Sequence, residues 1–441
     1  MIDTWKNKNV SHASLLMYIF AFTIIFQDSI QAITNMSIVS NFDEALITLF
    51  VIRAILYMLR ELGSNYRVLK MPKIAGKLLI LVGLFWSIGI ISCLVNSSYK
   101  WFDLLMSSFL MIKIYLLISS IIIAPIKNER FEEFVHAVLF WGKVSFISGL
   151  LNFFFPTAWV KLVPYTFVYM KNGFSSAMGF FIHPGQYGWF MLFVANIYYA
   201  RYICNGKEKK DLYRFIAYAC VACLSMKVKV FVGIIVILAF SNFFLQNKKA
   251  SIKNISMAFL GIFLVFGIFR GIIQNAYSMY FTDDTGSARY ALLAGSLKIL
   301  ADLFPIGAGF SKFGSYYARI NYSEWYYKYG LNTVWGLQPG QVWFGTDTFW
   351  PMIIGETGLI GLVIYILILL LLFVDLRRLW KKVEDNRVRV FLCMGLFALL
   401  QAIAESSGEP SFNSSPQNVM VGLFIGYAIA SAIYLKTCGA S

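Results

Sequence analysis

The chain is short of charge. Of its 441 residues only 14% are charged, against 59% hydrophobic, and the mean hydropathy is +0.67. Soluble domains average about 25% charged and about 45–50% apolar, so a water-soluble enzyme and a disordered chain are both excluded. Cysteine is scarce as well. There are six, Cys93, Cys204, Cys220, Cys223, Cys393 and Cys438, mostly inside apolar blocks, which excludes a disulfide scaffold. Cys220 and Cys223 form a CxxC, but within an apolar block and with no second pair, so no metal or redox centre is expected. There is no GxxxxGK[ST] to hold ATP. No internal repeat relates the two halves, which weighs against a repeat-built transporter. The first apolar block ends without a small-x-small site, so a cleavable signal is not expected.

What is present is a series of apolar runs, each near the roughly 20 residues needed to cross a bilayer as a helix. These runs predict an all-α polytopic integral membrane protein, one transmembrane domain over residues 1–441. Twelve spans are placed, at 13–34, 44–60, 77–97, 102–124, 132–155, 177–200, 213–226, 230–246, 256–274, 350–374, 389–404 and 417–435. The pair 213–226 and 230–246 also reads as one long broken element, since each half is short and Lys227 and Lys229 lie between them.

The net charge of +16 does not point to nucleic acid, because the basic residues sit in short loops between apolar blocks. With the N-terminus inside, well over half of the 38 Lys and Arg fall on the inner side. That asymmetry predicts a cytoplasmic N- and C-terminus. Two outer loops stand out, 156–176 and the much longer 275–349 between spans nine and ten. Four basic residues, Arg53, Lys113, Lys143 and Arg270, fall within spans. The first three either line a polar cavity or neutralise helix dipoles.

The long loop carries the chemistry-bearing residues. A surface-lying amphipathic helix is predicted over about 287–304, with Tyr290, Leu293, Leu297, Leu300 and Phe304 as its buried stripe. Arg289 falls in its first turn, where the helix dipole disfavours a cation. An ion pair with Asp283 or Asp284 is the plain structural explanation. Phe304-Pro-Ile-Gly-Ala-Gly-Phe310 reads as a tight turn back toward the membrane. Residues 316–350 are dense in aromatics, Trp343 among them, interleaved with polar groups such as Arg319, Asn321 and Glu324. Tyr and Trp settle at membrane interfaces and also stack on sugar rings. Asp347 closes the loop, and Glu356 sits in the first turns of the next span, where a carboxylate is costly unless paired or near water. Asp347 there also suits a cap on span ten.

In these segments the chain resembles the O-antigen polymerase and O-antigen ligase superfamily of bacterial inner membranes. Gly286-Ser-Ala-Arg289, followed by Pro305-Ile-Gly-Ala-Gly309, is similar to its "GS-R … P-GxG" segment. Asp347 through Gly361 is similar to its "HN-fL … E-G-iG" segment. Gly179-Phe-Phe-Ile-His-Pro-Gly-Gln-Tyr-Gly188 and Leu224-Ser-Met-Lys-Val-Lys229 are similar to two earlier signatures. Two positions depart from the pattern: Asp347 stands where relatives often have His, and Lys227 and Lys229 where they often have Ser-Arg.

The resemblance implies a GT-C-like glycosyltransferase fold and a metal-independent reaction without a cofactor at the periplasmic face. Undecaprenyl-pyrophosphate-linked oligosaccharides are the implied donor and acceptor, with a chain-length regulator as a further partner. The missing His favours the polymerase branch over a ligase that hands chains to lipid A core. A lipid-linked oligosaccharide flippase is the remaining alternative. A pyrophosphate leaving group needs cations near the bilayer surface. Arg289 comes first, with Lys227, Lys229 and Arg270 behind it. Asp347 is the first choice of base, followed by Glu324, Glu356 and His183. Arg319 and Trp343 complete the expected substrate-binding set. The charge asymmetry also carries a test: a reporter fused near residue 320 should be active only if it functions outside the cytoplasm. Cytoplasmic activity at that position would overturn the topology.

Overall fold

The computed structural model describes residues 13–64, 71–171, 173–245, 274, 277–278 and 286–438. The ninth expected span, 256–274, lies outside the described residues apart from position 274, and so do Arg270, Asp283 and Asp284. Helix dominates what is described. The only sheet among the described residues is a hairpin pairing β1 (Met170–Lys171) with β2 (Phe174–Ser175), in the shorter of the two prominent loops.

Six described helices are long and apolar enough to cross a membrane. They are α4 (Lys73–Asn96), α5 (Trp101–Ile123), α6 (Asn128–Phe154), α14 (Trp350–Lys382), α15 (Asn386–Glu405) and α16 (Gln417–Cys438). The protein is thus an all-α membrane protein. The span expected at 13–34 is instead α1 (Leu15–Ile25) and α2 (Gln27–Thr34), bent by 80°. Gln27 explains the break. Its amide nitrogen donates to Ser40 O and Asp43 Oδ1 at 2.9 and 3.0 Å, and its oxygen accepts from Ser415 Oγ at 2.7 Å. Its side chain thereby follows polar partners rather than the axis of α1.

Between these lie α3 (Phe42–Ser64), α7 (Pro156–Leu162), α8 (Pro184–Cys204), α9 (Lys209–Cys223) and α10 (Val228–Phe240). Helix α8 starts later than the span expected at 177–200 and is buried from Pro184 to Ala200 apart from Gln186. It packs on α9 and α15, and α15 packs in turn on α16, so these helices form the centre of the bundle. At about 1.5 Å per residue, α9 and α10 are each too short to cross a bilayer. The break between them falls at the lysines.

Of the three described basic residues within spans, two have polar partners and only Lys113 meets carboxylates. Arg53 donates to the carbonyls of Ala124 and Pro125, both at 2.6 Å, and so satisfies the C-terminal end of α5. Lys113 is buried against Asp43 at 2.6 Å and also pairs with Glu44. Lys143 is exposed.

The long loop has a core of its own, built on α11 (Ala288–Asp302) with α12 (Tyr316–Ile320) and α13 (Glu324–Lys328). Leu292, Ile299, Phe313, Tyr326, Leu331 and Leu337 meet there. The face that α11 buries is not the expected one. Ala288, Leu292, Gly295, Ser296 and Ile299 are buried, whereas Leu297 and Phe304 are exposed. Small residues on that face let the Phe313 ring approach closely: a Cβ on Gly295 would lie 3.0 Å from it.

Residues 305–313 dock the loop on the bundle between α4 and α14. Ala308 N donates to Gly355 O and Gly309 N to Glu356 O, both at 2.8 Å, while Leu359 N donates to Pro305 O at 3.0 Å. The approach is possible because α14 is broken at Gly358, with φ +64°. A Cβ there would lie 2.4 Å from the Ile306 carbonyl carbon. Gly358→Ala should therefore lower stability by about 1–3 kcal/mol, as overpacking does. Gly83→Ala, at a helical position with nothing within 4 Å, serves as the control. Thermal unfolding in micelles checks this; equal midpoints for the two variants would count against the docking.

Candidate functional site

The turn joining α9 to α10 is tight. Met226 adopts a left-handed φ of +51°, a conformation that non-glycine residues hold at a cost of about 1–3 kcal/mol and that clusters at functional sites. Lys171 from the β-hairpin donates to Met226 O at 3.2 Å. Lys227 occupies the N-cap position of α10 without a side-chain cap bond, and its ammonium lies 4.4 Å above the Tyr169 ring.

Lys229 points the other way, into the bundle. It pairs closely with Glu409 and lies 3.8 Å from Glu405 Oε2. Gln417 donates to the other Glu409 oxygen. Behind Glu405, Gln401 donates to Glu405 Oε1 at 3.0 Å and accepts from Asn196 at 2.8 Å. One lysine thus serves two carboxylates in a largely water-free place.

Arg289 pairs with Asp347, Nη2 to Oδ2 at 3.3 Å, with each side chain about a third exposed (31% and 32%). The pair joins the two ends of the long loop. Asp347 does not cap α14, whose N-cap is Phe349 with no side-chain bond, so the cap expected from the sequence is not formed. Burial raises the Asp347 carboxyl above its ordinary value, and Arg289 opposes that shift. Asp347 also feels Glu409 and Lys227. Burial, with Lys229 and Arg289 nearby, pushes Lys227 down to about 8. Lys171 is lowered by burial and by Lys227. The two clusters are therefore one electrostatic neighbourhood.

His183 stands just before α8 at its edge. Its Nδ1 accepts from Gly185 N at 3.1 Å, which leaves the proton on Nε2. The ring is open to solvent on one side, yet desolvation and the three cations Lys227, Lys229 and Arg289 push its pKa down to about 3. His183 is consequently a neutral hydrogen-bond donor at pH 7.

The structure brings together Arg289, Asp347, Lys227, Lys229 and His183. It sets the others apart. Glu356 is fully buried and accepts from Lys312 N, Phe313 N and Ser315 Oγ at 2.9, 3.1 and 2.6 Å. It clamps the docked segment and has no open face for a substrate. Glu324 meets Ser98 Oγ at 3.3 Å, Arg319 lies 5.5 Å from the Tyr316 ring, and Trp343 packs edge-on to Trp335. Arg270 is not among the described residues. Sequence reasoning missed Glu405, Glu409, Lys171 and Tyr169. A signal for the first two was available: two carboxylates bracket a Ser/Gly segment at the end of an apolar span, where an unpaired carboxylate is costly.

No family model matches the chain, and no curated protein matches it.

The two lysines should respond differently to removal. Lys229→Met removes the cation from a buried carboxylate, Glu405, and a half-buried one, Glu409, a change that typically costs about 3–5 kcal/mol where the pair is buried. Lys227→Met removes a cation that faces an aromatic ring, and should cost far less. Chemical unfolding of both variants measures this, and equal losses would contradict the pairing described.

Proposed function

We infer that the protein joins lipid-linked oligosaccharide units, as donor and acceptor, into a polysaccharide. The donor carries a polyprenyl pyrophosphate, undecaprenyl in type, and transfer needs no metal. On this reading the chain is a glycosyltransferase of the O-antigen polymerase kind, with twelve spans, cytoplasmic termini and a periplasmic long loop in a bacterial inner membrane.

The observation that carries this reading is the convergence of Arg289, Lys227 and Lys171 beside Asp347 and Glu409, next to an aromatic loop. Lys227 sits at the N-terminus of the 13-residue α10. There the free backbone N–H groups and the dipole add to its positive charge, an arrangement suited to phosphate. Arg289 supplies a planar fork that can hold two phosphate oxygens.

In the transfer step an acceptor hydroxyl attacks the anomeric carbon of the donor. The new C–O bond forms as the bond to pyrophosphate breaks, and the leaving group takes the electron pair. Arg289 and Lys227 stabilise the charge that develops there. The hydroxyl proton passes to a carboxylate, Asp347 first and Glu409 second. His183, with its proton fixed on Nε2, donates a hydrogen bond to sugar or phosphate oxygen.

Purified protein incubated with lipid-linked repeat units should give a ladder of polymers. A product formed only with core lipid would mean a ligase, and no bond at all would mean a flippase. Arg289→Ala should abolish the ladder with folding intact, and Arg289→Lys should recover little of it. Asp347→Asn should slow elongation by about 10²–10⁴-fold; wild-type rates would remove Asp347 from the reaction. Donor binding should weaken as pH rises through about 8, where Lys227 loses its proton. Lys227→Arg should remove that pH dependence.

A further inference from the structure

A cavity of about 700 Å³ lies between α1, α3, α6 and α16, lined by none of the residues of the site above. Its walls are apolar, formed largely by Phe20, Phe50 and Phe134, with Phe20 and Phe134 rings 5.7 Å apart. Leu16 lines it and is 77% exposed, so the cavity opens sideways at the surface where apolar side chains face lipid. One end is different. Arg53, Lys127 and Arg130 also line it.

These cations are held in distinct ways. Arg53 is fixed by the Ala124 and Pro125 carbonyls, which satisfy its hydrogen bonds but not its charge. Lys127 precedes the first turn of α6 and makes no ion pair among the described residues. Arg130 pairs with Glu133 at 3.2 Å, and Ser14 Oγ donates to the same Glu133 oxygen at 3.3 Å. Three cations line the cavity and no carboxylate does; Glu129 and Glu133 lie beside Arg130 on α6 and leave a surplus of positive charge.

An apolar slot that opens to lipid and ends in uncompensated positive charge matches one kind of molecule. The geometry points to a binding site for an anionic glycerophospholipid of the surrounding bilayer, acyl chain along Phe20, Phe50 and Phe134, phosphate at Lys127 and Arg130. A soluble anion would gain nothing from the aromatic walls, and a zwitterionic lipid would bring its own cation to a basic rim. The site stands whatever reaction the protein performs.

Native mass spectrometry of the full chain, offered phosphatidylglycerol and phosphatidylcholine of the same acyl length, tests it. Phosphatidylglycerol should be retained selectively. Each basic residue near an anionic lipid surface adds about fivefold to affinity, so Lys127→Gln with Arg130→Gln should lower phosphatidylglycerol retention on the order of 25-fold and leave phosphatidylcholine unchanged. Glu133→Gln should strengthen phosphatidylglycerol binding, a gain that general damage to the fold would not produce. Equal retention of both lipids by the unmodified chain would overturn the proposal, as would unchanged selectivity in the double variant. So would lipid binding seen only after deletion of residues 1–12, since the N-terminal segment would then be the occupant.

Discussion

One docking contact sets the geometry of the long loop and of the end of the bundle that carries it. Helix α14 breaks at Gly358, and the released backbone groups are taken up by Pro305 and its neighbours. In a membrane-spanning helix an unsatisfied carbonyl or N–H is costly, so such a break is stable only where another segment supplies partners. Glu356 completes the exchange by accepting from two backbone N–H groups and a hydroxyl of the same strap. Residues 305–309 and 355–359 are thus two halves of one joint. Everything the long loop presents, Arg289 included, is placed by it.

The second constraint is charge matching in a medium that does not tolerate loose charge. Lys113 answers Asp43 and Glu44, Lys229 answers Glu405 and Glu409, and Arg53 answers two carbonyls. These residues look alike in composition but do different work. The groups left at the site are those whose charges are only partly balanced. Lys227 has an aromatic ring in place of a carboxylate, and Arg289 and Asp347 remain partly open to solvent.

The membrane class was legible because apolar runs near 20 residues have few other uses. The helix near 287–304 was legible too, but its buried face was not. Periodicity weights large apolar residues, whereas packing here selected Gly295 and Ser296, whose smallness admits a neighbouring ring. The bend at Phe26 is not legible in the sequence, because Gln27 finds its partners at Ser40, Asp43 and Ser415, and hydropathy carries no information about such distant contacts. Arg289 and Asp347 were each singled out from local pattern. Their pairing, 58 residues apart in sequence, was not foreseen, because nearer aspartates offered an obvious partner. Glu409 is visible in the sequence only when a carboxylate at the end of an apolar run is weighed as costly unless paired.

The Arg289–Asp347 contact also closes the loop at its two ends, while its interior is tied to itself, to the joint at Gly358 and, through Trp325 to Ser97 and Asn321 to Asp103, to the facing ends of α4 and α5. A segment stapled in this way behaves as a cassette. Its interior can lengthen at small entropic cost, since loop closure grows only slowly with chain length. Exposed residues between these ties, such as Trp335 and Trp343, can then change without disturbing the bundle, whereas Trp325 and Tyr326 cannot.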